Sequence, residues 1–104
     1  MDADPAEPPP WSPEALLAKR WKGRPPRSVW WVLRQTVLER DNYTCVYCGR
    51  RGGRLMLDHL LPVSRGGFSE LNNLVTACVA CNSAKGARTP QEWLASLQRK
   101  VGGH

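Results

Sequence analysis

Leu57-Asp58-His59-Leu60-Leu61-Pro62-Val63-Ser64-Arg65-Gly66-Gly67, then Asn72-Asn73-Leu74, then Cys78-Val79-Ala80-Cys81-Asn82-Ser83-Ala84-Lys85-Gly86, form the most informative part of the sequence. It ends on a Cys-x-x-Cys pair, and a second pair, Cys45 and Cys48, stands upstream of it. Each tight turn presents two thiolates to one ion, so the two pairs meet the needs of a tetrahedral four-cysteine zinc site, with the segment between them tied at both ends. A redox role needs only one such pair, and disulfides form mainly in an oxidising compartment. The reading is therefore a structural Zn²⁺ on Cys45, Cys48, Cys78 and Cys81. Such a site is closed by protein on every side, so any catalysis must lie elsewhere.

A chain of 104 residues with 41% hydrophobic content holds one domain at most and a modest core, which suits a metal staple. Met1 to Pro10 is acidic and proline-rich, without the basic start and apolar run of a signal peptide. No stretch approaches the ~18 apolar residues of a membrane span. The expectation is a cytoplasmic, intracellular protein with no membrane contact, where thiols stay reduced. Net charge is +6; past Asp2, Asp4 and Glu7, fifteen Lys/Arg face six Asp/Glu, a net of +9. That excess fits a polyanionic partner, because each neutralised phosphate releases counterions. The same charge equally serves solubility.

The expected organisation is an acidic, proline-rich disordered tail over 1–10, N-terminal helices over 11–40, a core over 41–88 and a C-terminal helix with a frayed end over 89–104. Ser12-Pro13-Glu14 reads as a helix start, with the helix running to about Trp21 before Gly23 and Pro25-Pro26 break it. Ser28 reads as a second cap for a helix ending near Arg40. Val29, Trp30, Leu33 and Val37 of that helix share one arc of about 100°. Trp31 and Leu38 point the other way, toward Leu17 and Trp21 of the first helix or toward a partner protein. A hairpin-like turn is expected around Cys45–Gly49, a strand through Leu55–Leu57 into Asp58-His59, and a second strand over Leu71–Val75. A short helix within Cys78–Lys85 stops at Gly86. Thr89-Pro90-Gln91-Glu92 then carries a capping box for a last helix from Pro90 to about Lys100.

Asp-His with a nearby Pro and Gly-Gly, an Asn-Leu, and Cys-x-x-Cys-Asn-x-x-Lys occur here in order around a zinc framework. Over about Arg40 to Gly86 the sequence resembles the HNH endonuclease family. The resemblance implies an α+β chain built on a small zinc-stapled ββα-metal domain with flanking helices. It implies that Asp58 and Asn82 bind a catalytic divalent metal, that His59 activates water, and that Asn73 braces the loop carrying the base. The family's last named position is often histidine; Asn82 makes this chain an HNN variant. The activity implied is metal-dependent hydrolysis of phosphodiester bonds, with DNA as the expected partner.

The residue types support that chemistry on their own. Phosphodiester hydrolysis needs a water, a base and positive charge on the phosphoryl oxygens. His59 can be a base near neutral pH. A carboxylate at Asp58 and an amide oxygen at Asn82 make a hard oxygen site, favouring Mg²⁺ or Mn²⁺, with other divalent metals possible. Neighbouring strand residues face opposite sides, so Asp58 and His59 cannot both face the metal in a regular strand: either His59 faces the water from another side, or the strand is locally irregular there. Plainer readings stand beside these: Asn73 in a turn, Asn82 as a helix cap, Lys85 and Arg65 either on phosphate or idle, and the tryptophans as packing residues. As a whole, the chain also reads as a non-catalytic zinc module binding nucleic acid, or as a structural, partner-recruiting protein.

Overall fold

The segment Leu55–His59 forms strand β2, and it pairs antiparallel with β4, Leu74–Cys78, in a register from Leu55 opposite Cys78 to His59 opposite Leu74. Helix α3, Val79–Lys85, follows β4 directly and packs on both strands, completing a ββα unit. The computed structural model describes residues 8–102. Around the unit lie α1 (Pro13–Leu17), β1 (Trp21–Lys22), α2 (Arg27–Arg40), β3 (Phe68–Ser69) and α4 (Pro90–Gly102). The architecture is α+β, as expected.

The core lies between α2 and the β2–β4 hairpin: Val29, Leu33 and Val37 meet Leu57 and Leu74, all buried. Burying side chains of this size is worth roughly 1.5–3 kcal/mol each. Arg40 and Asp41 fasten the end of α2 to β4. Arg40 Nη2 donates to Leu74 O at 2.7 Å, and the Thr76 N–H donates to Asp41 Oδ2 at 2.9 Å. A smaller cluster of Cys45, Ala77 and Cys78 lies at the far end of the hairpin, with Tyr47, Leu55 and Cys81 against it.

The N-terminal region departs from the expectation. Helix α1 is capped by Ser12, whose Oγ accepts from the Ala15 N–H, but it ends at Leu17 rather than Trp21. Trp21 instead opens β1, which pairs with β3 through Trp21 opposite Ser69 and Lys22 opposite Phe68. Helix α2 starts at Arg27 after Pro26, with no side-chain cap, so Ser28 lies inside the helix. The proline pair sets the extended entry that a capping hydroxyl would otherwise mark. Leu17 and Trp21 pack on the Leu33 cluster, not on Trp31, which is 62% exposed; Leu38 is buried.

The second strand begins at Leu74, because Leu71–Asn73 forms a 3₁₀ turn. The Thr89–Glu92 capping box forms: the Thr89 N–H donates to Glu92 Oε1 at 2.9 Å and the Glu92 N–H to Thr89 Oγ1 at 3.2 Å. Most of the tail expected over 1–10, and Gly103 and His104 of the frayed end, fall outside the described residues. Of the five tryptophans, Trp21 and Trp30 pack on the core and Trp93 meets Tyr47 edge-on, while Trp11 and Trp31 are exposed.

Candidate active site and zinc knuckles

The first knuckle is a turn closed by the Cys45 N–H to Arg50 O at 2.8 Å and the Gly49 N–H to Cys45 O at 2.9 Å. The Val46 N–H donates to Thr76 O at 3.0 Å and so hangs the turn on β4. The second knuckle is the start of α3, where Cys78 is the N-cap and its Sγ accepts from the Cys81 N–H at 3.4 Å. All four sulfurs lie within 4.8 Å of one another, and Cys48 Sγ and Cys78 Sγ are 3.8 Å apart. A Zn–S bond of about 2.3 Å gives a tetrahedral edge of about 3.8 Å, so this donor set fits a closed Zn²⁺ site.

The thiols differ in charge preference. Burial raises Cys45, but N–H groups of Cys78, Cys48 and Tyr47 and the Cys48 thiol outweigh it and hold it at about 6. Burial and bonds to the neighbouring sulfurs push Cys81 well above the ordinary thiol range. Four crowded thiolates need a cation among them.

Asp58 and His59, at the end of β2, point to opposite faces as strand alternation requires. Asp58 is buried on the α3 side. Its Oδ1 accepts from Lys85 Nζ at 3.2 Å, and its Oδ2 accepts from the Tyr47 hydroxyl. Lys85 is fully buried, and its Nζ also donates to His59 O at 3.1 Å. It therefore lies beneath the site and is closed off from any phosphate. Arg65 is exposed and pairs with Glu92. Burial next to Asp58 raises the Tyr47 phenol and keeps it protonated as a donor. A carboxylate offers about four lone-pair sites, of which these two bonds use half.

His59 turns to the α2 side, where its ring stacks on Trp30 with centroids 5.9 Å apart and planes at 18°. Its Nε2 lies 2.9 Å from Ser69 Oγ. Burial lowers the His59 pKa below its ordinary value; Lys85 adds to this and Asp58 opposes it. Burial and Lys85 thus favour the neutral form of the ring.

Asn82 lies inside α3, whose N-cap is Cys78, so the helix-cap reading of Asn82 is corrected. Its Nδ2 faces Met56 Sδ at 3.3 Å, and among the described residues its Oδ1 receives no hydrogen bond. Asp58, His59 and Asn82 line one open cavity of about 330 Å³, together with Pro62, Val63 and Gly86.

Asn73 stands outside that cavity and clamps the connection between β2 and β3. Its Oδ1 accepts from the Leu61 N–H at 2.8 Å, and its Nδ2 donates to Leu61 O at 3.1 Å and to Phe68 O at 2.9 Å. Gly67 permits this closeness, since a Cβ there would stand 1.8 Å from Leu61 O. Sequence reasoning missed Tyr47 and Ser69 and misjudged Lys85. Only Lys85 carried a usable signal: it lies three residues after Asn82, on the same face of a helix.

The fold and site together define a small α+β domain built on a ββα unit, with four cysteines clustered for a metal site. Residues 45–88 match the family described as HNH endonuclease. The chain is similar to the CRISPR-associated endonuclease Cas9 of Corynebacterium diphtheriae, 34% identical over 68 residues, which covers 62% of this chain and 6% of that protein. It is also similar to anaredoxin of a Nostoc species, 30% identical over 47 residues, covering 45% of this chain and 62% of that protein. The chain thus spans less than two thirds of either relative. No helix among the described residues is long and apolar enough to cross a membrane.

Proposed function

We propose that this chain is a metal-dependent endonuclease that hydrolyses phosphodiester bonds in DNA. The observation that carries the reading is one open cavity lined by Asp58, His59 and Asn82, residues that bring a carboxylate, an imidazole and an amide to its rim. Asp58 and Asn82 would hold a hard divalent cation, Mg²⁺ or Mn²⁺, which keeps most of its waters and needs few protein groups. When bound, that ion supplies positive charge for the phosphoryl oxygens. His59 takes the proton of the attacking water as the new P–O bond forms and the ester P–O bond breaks; the departing oxygen takes a proton from solvent. Tyr47 and Lys85 hold the Asp58 carboxylate in one orientation. Exposed Lys19, Arg20, Lys22, Arg24 and Arg27 supply charge for a polyanion, which supports nucleic acid as the partner.

A second reading, a zinc module that binds nucleic acid without cutting it, is favoured by the Asp58 carboxylate already being paired with Lys85. Supercoiled plasmid in Mg²⁺ or Mn²⁺ separates the two. Wild type nicks or linearises it, and His59→Ala, retaining zinc and its melting transition, does not. Equal cutting by both proteins, or binding without cutting by wild type, discards the nuclease reading as written.

A further inference from the structure

Ser69 is fully buried in β3, and its hydroxyl lies between two partners. Its Oγ is 2.6 Å from Gly23 O and 2.9 Å from His59 Nε2. A carbonyl can only accept, and a serine hydroxyl has one proton. That proton goes to Gly23, so Ser69 Oγ must accept from His59, whose Nε2 therefore carries the ring hydrogen. The lone pair is left on Nδ1. Pairing of β1 with β3 sets Ser69 opposite Trp21, and Gly23, at φ +72°, directs the chain onward after β1. From the next element, Trp30 covers one face of the same ring.

We propose that Ser69, anchored by the Gly23 carbonyl, is a positioning residue that locks the His59 tautomer and leaves Nδ1 as the base. The N-terminal segment, which lies outside the family-matched residues 45–88, is then part of the site rather than an appendage. This rests on the nuclease reading for its catalytic consequence, but not for the ring geometry. With Nε2 tied to Ser69, the ring cannot turn that nitrogen toward water, and holding a reacting group in one geometry removes a large share of a barrier.

The test is ¹⁵N NMR of the His59 ring in zinc-loaded wild type and in Ser69→Ala and Ser69→Thr, beside single-turnover plasmid cleavage. Wild type should show the proton on Nε2, protected from exchange with water; Ser69→Ala should lose that protection. Cleavage by Ser69→Ala should fall on the order of tenfold or more in rate with plasmid binding unchanged, and Ser69→Thr should restore both signals. A wild-type ring protonated on Nδ1 overturns the proposal even if neither variant folds. So does a folded Ser69→Ala that cuts at the wild-type rate. If wild type does not cut at all, the nuclease reading fails, and with it the catalytic role of Ser69, while an Nε2-protonated ring protected only when Ser69 is present still supports the lock.

Discussion

Lys85 Nζ lies 3.2 Å from Asp58 Oδ1, with the lysine side chain fully buried and that of the aspartate nearly so. The pair joins the end of α3 to the end of β2 just where the candidate site opens. Removing one member of a buried pair leaves an uncompensated charge, at a cost of about 3–5 kcal/mol. Lys85→Met should lose that much in urea denaturation, whereas Lys85→Met combined with Asp58→Asn should recover a good part of it. A single variant within about 1 kcal/mol of wild type would put the pair in the class of solvent-screened ion pairs instead.

The four-sulfur cluster leads to a metal-removal prediction. Structural zinc contributes on the order of 10 kcal/mol or more to folding in isolated fingers, and the core here is small. Cys45→Ser or Cys81→Ser should therefore yield a largely unfolded chain, and a strong chelator should abolish the cooperative melt of wild type. A metal-free protein with an undiminished melt, by circular dichroism with metal analysis alongside, counts against the staple.

The hairpin-and-helix core was legible because its signals are local. Cys-x-x-Cys spacing, the alternating Leu55–Leu57 run and the Thr89–Glu92 box each name a geometry within a few residues. The end of α1 was not, because Trp21 belongs to a strand whose partner, Ser69, is 48 residues away, and two-residue strands have no periodicity to read. The buried end of Lys85 was hidden for a related reason. A lysine in a basic chain reads as surface, and only the tertiary fold brings Asp58 against it. His59 and Asp58 facing opposite ways did follow from strand alternation, but the Ser69 and Trp30 contacts on the far side did not.

Asp41 gives a pH prediction. Burial works against its charged form, yet the Arg40 guanidinium and the Thr76 N–H outweigh it and hold the carboxyl below its usual value. The folded state therefore binds this proton later than the unfolded chain does. The stabilisation is present in full above the unfolded pKa of about 4 and is lost as pH falls through the lower, folded value. Asp41→Asn should cost about 1–2 kcal/mol at neutral pH and less in acid. Denaturation of both proteins from pH 7 down to pH 3 checks this; a difference that stays constant with pH removes Asp41 as its source.

Asn82 is the residue at which the chain departs from the histidine common in the family pattern it resembles, and it lines the cavity it shares with Asp58 and His59. If its amide oxygen binds the catalytic metal, Asn82→Ala removes one of two named protein ligands. Mg²⁺ is held by few protein groups, so the variant should cut poorly in Mg²⁺ while keeping its zinc and its melting temperature. The α3 N-cap is Cys78, so loss of a helix cap is no longer an explanation for any effect. Asn82→His should keep activity and move its preference toward Mn²⁺, Co²⁺ or Ni²⁺, because imidazole suits those ions better than it suits Mg²⁺. The competing account is that Asn82 only packs its amide against Met56. On that account both variants shift stability slightly and leave the order of metals unchanged. Cleavage rates in Mg²⁺, Mn²⁺, Co²⁺ and Ni²⁺ for the three proteins, with melting curves beside them, decide between the two, and superimposable metal profiles remove Asn82 from the catalytic site.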